Sequence, residues 1–202
     1  LGGNSLSDLL VFGKLAGDGA ADYISGTNFS ALINQEEVES IVRAGTQILN
    51  RESGKNPYLL HEELQEAMQD KVGIVRSNEL LTEGIKQLDE FKEAYKQVKA
   101  DGASQFNPGW HEALSLRNLI ITAEAVAKSA LMREESRGAH SRIDFPGEQD
   151  EWLKYNIVAS KNGDGSMSTK KIERERPDSE LERIANLTIE ELEKEVESER
   201  NK

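Results

Sequence analysis

Three arginines within ten positions are the side chains of this sequence best suited to binding anions. They follow an apolar helix that runs into charged residues, a glycine and a polar loop, and they are Arg133, Arg137 and Arg142. A guanidinium group presents its N–H donors in a planar fork that matches a carboxylate, and it can also donate to main-chain carbonyls. The acidic partners nearby in sequence are Glu134, Glu135 and Asp144. The simplest interpretation is structural: the arginines, with His140 among them, satisfy the polar groups of the loop.

The opening residues offer a second place where an anion could bind. Gly2 and Gly3 allow the backbone to approach a flat ligand closely. A helix that begins at Asn4 or Ser5 presents free N–H groups carrying about half a positive charge. Taken by itself, the same pattern is that of an ordinary capped helix ending at Gly26.

The histidines give no indication of catalysis or of a metal site. His61, beside Glu62 and Glu63, is expected to be solvated, and His111 is expected to be incidental. None of the three histidines stands at a spacing that recurs in metal sites. We therefore predict no catalytic residue and no metal ligand in this chain.

Composition excludes several classes of function. The formal net charge of −12 repels phosphate backbones and anionic lipids, so nucleic-acid binding is not expected. Without cysteine the chain can supply no disulfide and no iron–sulfur ligand, so any such cluster belongs to a partner chain. No stretch approaches the about 20 apolar residues that span a bilayer.

Capping signals predict a series of helices. Starts are indicated at Asn34 with Glu37, at Asn56 before Pro57, at Ser77, and at Asn107 before Pro108. The helix after Ser77 is expected to end near Asp101 and Gly102. The last helix is expected from about Trp110 to Glu135, and its largely apolar circumference predicts the centre of a bundle.

Glycines and turn residues complete the outline. Three glycines in the first helix, at positions 13, 17 and 19, predict close packing against another backbone. Residues 162–165, Asn-Gly-Asp-Gly, predict the turn of a β-hairpin. Beyond Pro177 the chain is acidic, with nine acidic and four basic side chains. It is read either as a short helix or as a solvated tail.

Two segments resemble landmarks of the succinate dehydrogenase and fumarate reductase flavoprotein subunits. The C-terminal signature of that family is similar to residues 131–146, LMREESRGAHSRIDFP. Its flavin-contacting turn and helix look like residues 1–13, LGGNSLSDLLVFG. L-aspartate oxidase shares much of the Glu-Ser-Arg-Gly element, but the His-Ser-Arg-x-Asp-Phe-Pro continuation is more similar to the dehydrogenase and reductase branch.

The resemblance implies a mainly α fold, an antiparallel bundle of three or more helices with a C-terminal β-hairpin and an acidic tail. Residues 1–30 would be the remnant of a FAD-binding domain, ending in its last helix, and 31–138 the helical bundle. Residues 139–176 would form the signature loop and hairpin, and 177–202 the tail.

The resemblance also implies roles for individual residues. Ser5 and Leu6 would contact the flavin of FAD, and the backbone of Gly3 would bind the dicarboxylate substrate. The family's substrate-binding arginine would precede Leu1, and most FAD contacts would lie further upstream, so this segment alone is expected to be inactive. The alternative interpretation of the arginine-rich loop is that it faces the active-site cleft or the electron-accepting subunit.

The parent protein implied by the resemblance oxidises succinate to fumarate by hydride transfer to FAD and passes electrons to an iron–sulfur subunit. Membrane-anchor subunits would hold it at the cytoplasmic face of the plasma membrane or on the mitochondrial matrix side. Two alternatives stay open: a C-terminal fragment of L-aspartate oxidase, and a free-standing helical module whose acidic surface binds a basic partner.

Overall fold

The computed structural model describes residues 4–27, 33–175 and 178–200. The chain divides into two compact units, residues 1–46 and 47–202. The predicted fold class is confirmed, because helices dominate and a β-hairpin follows the bundle. The finer division into four segments stays a prediction, and its boundaries at 30 and at Pro177 lie outside the described residues.

The first unit contains helix α1 (Asn4–Gly26) and most of α2 (Gln35–Asn50). The side chain of Asn34 caps α2, accepting from the backbone N–H groups of Glu36 and Glu37 at 3.1 and 3.3 Å. The large apolar side chains of α1 are exposed, at Leu6, Leu9, Leu10, Val11, Phe12, Leu15, Tyr23 and Ile24. A Cβ added at Gly13, Gly17 or Gly19 would meet nothing within 4 Å. The close backbone packing predicted at these glycines is therefore absent among the described residues.

The second unit is built on α3 (Pro57–Val72), α4 (Asn78–Tyr95) and α5 (Pro108–Met132), which pack on one another pairwise. Each begins at its predicted cap, where Asn56, Ser77 and Asn107 accept from main-chain N–H groups. Asn56 and Asn107 line the same surface depression, so α3 and α5 start at the same end of the bundle. The chain leaving α4 pairs there with Lys55, and α4 therefore runs antiparallel to both.

The core lies between these three helices. Leu60, Leu64 and Val72 come from α3, Leu81, Leu88 and Phe91 from α4, and Leu116 and Ile120 from α5. Four buried alanines of α5, at 113, 123, 127 and 130, allow the neighbouring helices to approach closely. The central position predicted for this helix is confirmed.

Two predicted helix ends are wrong. Helix α4 ends at Tyr95 rather than near Asp101, because the next residues hydrogen bond across to Lys55: its N–H donates to Gln97 O at 2.8 Å, and Lys99 N–H donates to its carbonyl at 3.0 Å. Val98 is thereby buried. Helix α5 ends at Met132 rather than Glu135, because the side chain of Arg142 donates hydrogen bonds to its last carbonyl groups.

Four short strands follow or join the helices in the part of the chain that the structure describes. Strand β1 (Val75–Arg76) pairs in parallel with β2 (Ser141–Arg142), a pairing the sequence did not predict. A short 3₁₀ helix (Asp150–Lys154) leads into β3 (Tyr155–Lys161), which pairs antiparallel with β4 (Met167–Glu173). This is the predicted hairpin, and its turn is anchored by Asn162, whose N–H donates to Ser166 O at 2.8 Å. The hairpin packs on α5, where Lys128 Nζ donates to Met167 O at 2.9 Å.

The acidic C-terminal segment forms two helices, α6 (Ser179–Ala185) and α7 (Ile189–Arg200). Arg183 joins them, pairing with Glu180 at 2.8 Å and Glu195 at 2.7 Å. Most of its described side chains are exposed to solvent. No helix in the described ranges is both long and apolar enough to cross a bilayer.

Candidate functional site

The end of α5 is closed by a buried arginine from strand β2. The side chain of Arg142 is 1% exposed, and its Nη1 donates to the carbonyls of Ala130 at 2.9 Å, Leu131 at 3.0 Å and Arg133 at 3.2 Å. The last carbonyls of a helix have no partner within the helix, so a guanidinium at this point satisfies several of them together. Arg142 therefore sets where α5 stops.

The other side of the Arg142 guanidinium binds Asp144 bidentately. Nε and Nη2 donate to the two carboxylate oxygens at 2.8 and 2.7 Å. The Asp144 carboxylate also accepts from the backbone N–H of Asn78, in the first turn of α4, at 2.9 Å. These hydrogen bonds, chiefly those from Arg142, hold the pKa of Asp144 far below its ordinary value. The pair thus ties the loop to α4 as well as to α5.

Glu135 is a fully buried acid of this region, which we call the arginine loop (residues 133–148). Its carboxylate accepts from Arg133 Nη2 at 2.7 Å, from Arg137 Nη2 at 3.1 Å and from the backbone of Gln149 at 2.9 Å. Burial acts to raise the pKa of Glu135, but these hydrogen bonds outweigh it and the net pKa is lowered. Arg137 also pairs with Glu148 at 2.8 Å.

His140 occupies the turn of the loop, where Gly138 takes a positive φ of 57°. Its Nδ1 faces Nη1 of Arg76 at 2.6 Å, and its Nε2 faces the carbonyl of Arg133 at 3.2 Å. An arginine can only donate, so Nδ1 is the acceptor and the ring is neutral with its proton on Nε2. Burial lowers the pKa of His140, and the charges of Arg76, Arg142 and Arg133 lower it further, against the opposing effect of the Arg133 carbonyl.

A tryptophan connects the loop to the hairpin. Trp152 is 8% exposed, and two cations lie over its ring, the guanidinium of Arg133 at 5.4 Å and the ammonium of Lys171 at 4.2 Å from the ring centroid. Cations over an indole face are attracted by its quadrupole. The arginine loop is thus held against strand β4.

The sequence-based site predictions have mixed outcomes. The structural interpretation of the arginines agrees with the geometry, since Glu135 and Asp144 are their partners. Ser5 and Leu6 lie in the first turn of α1, where Leu6 is 71% exposed, whereas Gly3 lies outside the described residues. Their roles stay predictions.

Two side-chain contacts in the structure were not predicted from the sequence. His61 is not simply solvated as predicted, because its Nδ1 contacts the carboxylate of Glu112 on α5 at the partly buried bundle surface. The contact of Arg76 with His140 was not predicted either, because no motif in the short connection between α3 and α4 indicates it. His111 is exposed. Within the described residues, no three acidic or histidine side chains are grouped to hold a metal ion.

Comparisons with known proteins identify the family to which this fold belongs. Residues 61–196 match the family model described as fumarate reductase flavoprotein C-term. The chain belongs to this family. The match spans α3 to α7 and so includes the bundle, the arginine loop and the hairpin.

Some relatives of this chain are named succinate dehydrogenase and others fumarate reductase. It is 31% identical over 175 residues to the fumarate reductase flavoprotein subunit of Helicobacter pylori, covering 84% of this chain and 24% of that protein. It is 35% identical over 159 residues to the succinate dehydrogenase flavoprotein subunit of Rickettsia bellii, covering 78% and 27%. The Mycobacterium smegmatis Sdh1 complex in the apo form contains a chain with a TM-score of 0.84 and 40% identity, covering 95% of this chain and 34% of that one. The chain thus spans less than a third of the curated relatives it matches.

Replacing Arg142 by methionine is expected to lower the free energy of unfolding of the 202-residue chain by about 1–3 kcal/mol, because it leaves the last carbonyls of α5 without their donor and removes the ion pair with Asp144. Arg174→Met is the matched control, since Arg174 is exposed and its Nη1 donates only to the Leu153 carbonyl, at 3.0 Å. The control is expected to cost no more than about 0.5 kcal/mol. Urea unfolding followed by circular dichroism measures both values, and equal losses would contradict the assigned role.

Acidification is expected to destabilise the fold through His140. An unfolded histidine titrates near 6.5, whereas the folded pKa is lower, so as pH falls below 6.5 only the unfolded state takes up the proton. The contribution of His140 to stability is therefore fully present above pH 6.5 and is lost as the pH falls towards the folded pKa. The thermal midpoint should fall from pH 7 to pH 5, and His140→Gln should flatten this dependence while the exposed control His111→Gln should not. A slope unchanged by His140→Gln would exclude this histidine as its source.

Proposed function

We propose that this chain is the C-terminal part of the flavoprotein subunit of a succinate dehydrogenase or fumarate reductase. The parent protein oxidises succinate to fumarate, or runs the reverse reaction, by hydride transfer between substrate and FAD. The observation that carries the proposal is the family match from residue 61 to 196, supported by relatives named for each direction. Electrons pass to an iron–sulfur subunit, which is consistent with a chain that contains no cysteine.

The exposed first helix supports a role next to a further domain. Eight large apolar side chains of α1 are more than half exposed, which an independent soluble module would normally bury. The alternative of a free-standing helical module is disfavoured for this reason. The third candidate, L-aspartate oxidase, predicts that no iron–sulfur subunit purifies with the full-length protein.

Ser5 and Leu6 are suited to the flavin of FAD because they lie in the first turn of α1. The N–H groups of this turn have no helical acceptor, and the positive end of the helix dipole is there. FAD supplies the hydride acceptor when bound, and its reduced form carries negative charge on the ring system. A helix N-terminus directed at that charge stabilises the reduced form and raises the reduction potential by on the order of 10–40 mV. Gly3, by its backbone, is proposed to bind the dicarboxylate.

The activity test compares the 202-residue chain with the full-length gene product, each supplied with FAD and assayed for succinate-dependent dye reduction. The full-length protein is expected to turn over, whereas the 202-residue chain is expected to be inactive because the substrate-binding arginine implied by the family resemblance is not among its residues. Butyrate, which lacks the second carboxylate, serves as the non-substrate control. Turnover by the 202-residue chain alone would contradict the division of roles proposed here.

The flavin contact is tested by Leu6→Asp in the full-length holoprotein. A carboxylate in the first turn of α1 should repel the reduced flavin and make its midpoint potential more negative, by on the order of 10–40 mV. Leu9→Asp, the same charge change about one turn further on, is the matched control, as Leu9 is similarly exposed. Spectroelectrochemical titration gives both potentials, and equal shifts would argue against a specific contact by Leu6.

A further inference from the structure

Arg76 stands at the edge of the arginine loop and is held there by its own hydrogen bonds. Its Nε donates to the carbonyls of Val72 at 3.1 Å and Gly73 at 2.6 Å, which end helix α3. Its Nη1 donates to Nδ1 of His140 at 2.6 Å. The guanidinium is partly buried and fixed in orientation. Nη2 makes no hydrogen bond to any described group. Since no buried side-chain nitrogen of the described residues lacks a partner, Nη2 is exposed to solvent.

The charge of Arg76 is not balanced within the described part of the chain. Its neighbours in the loop each meet a carboxylate, in the pairs Arg133–Glu135, Arg137–Glu135 and Arg142–Asp144. No described carboxylate lies at ion-pair distance from Arg76. Partial burial and the nearby charge of Arg142 lower the pKa of Arg76, so its environment disfavours the cation it carries. An anion bound beside Arg76 would balance this charge.

The guanidinium of Arg76 lines an open cavity of about 610 Å³. Arg133 and His140 contribute further polar surface, and helix α5 contributes Ser129. The remaining wall is mainly apolar, formed by Val126, Ala130, Ile157 and Val158. This volume lies within the range of small-molecule sites, which combine an apolar lining with a few fixed polar groups.

We propose that this cavity binds a small aliphatic carboxylate, with its carboxylate group on Arg76 and its hydrocarbon part against the apolar lining that helix α5 and strand β3 provide. Nη2 of Arg76 carries two N–H donors that a carboxylate can accept, and the apolar wall favours an organic acid over inorganic phosphate. The site lies wholly in the second unit, among residues other than those proposed to contact flavin or substrate. It does not rest on the proposed function.

The experiment titrates the 202-residue chain with sodium butyrate at constant ionic strength and follows the Nε–Hε resonance of Arg76 by ¹H–¹⁵N NMR. A saturable shift is expected, with none from sodium chloride. Arg76→Gln should weaken butyrate binding at least tenfold, as measured on the backbone resonances of residues 156–158. Arg117→Gln is the matched control, because Arg117 is an exposed residue of α5 that lines a different cavity. It should leave the affinity unchanged.

A second variant keeps the test decisive if Arg76→Gln does not fold. Asn156 is an exposed residue of β3 that lines the cavity, so Asn156→Asp is isosteric and supplies a carboxylate of the chain's own. It should weaken butyrate binding at least tenfold while leaving the thermal midpoint unchanged or raised. Equal weakening by Arg117→Gln, or shifts that grow linearly without saturation, would overturn the proposal. Binding that emerged only after removal of residues 178–202 would make the acidic tail the occupant, and it too would overturn the proposal.

Discussion

The arrangement of the second unit depends on one buried guanidinium. Arg142 satisfies carbonyls at the end of α5, pairs with Asp144, and so reaches the first turn of α4. A buried cation is stable only when its donors are used and its charge is countered, and both conditions are met here. Because all these contacts converge on one side chain, the helix end, the parallel strand pair and the loop depend on one another.

The other buried charge of the arginine loop obeys the same requirement that a buried charge be paired and hydrogen bonded. Glu135 is fully buried and is accepted into the interior only because two arginines and a backbone N–H surround it. The arginines that close the loop thereby become unavailable to external anions. Arg76 is the exception in the described cluster, and this is why a ligand is proposed beside it rather than beside the more conspicuous arginines of the signature.

Local patterns predicted those elements whose determinants are close in sequence. The caps at Asn56, Ser77 and Asn107 and the hairpin turn near residue 163 each need only a few neighbouring residues, and all were found where predicted. The partners of Arg137 and Arg142 also lie two positions away. The contacts that escaped are distant: His140 meets Arg76 across 64 positions, and His61 meets Glu112 across 51. Helix α4 was predicted too long for the same reason, since its end is decided by pairing with Lys55. A single sequence holds no signal for such pairs.

The parallel ladder between β1 and β2 has a consequence for the order of assembly. It joins Arg76 to Arg142, residues more than sixty positions apart, through only two residue pairs. Closing so long a segment costs entropy that so short a ladder cannot recover alone. The packing of the bundle therefore has to bring the two strands together, and the last turn of α5 has its cap only once Arg142 is in place. In a nascent chain that turn frays until residue 142 has been synthesised, so the helix at the centre of the bundle is completed by residues translated after it.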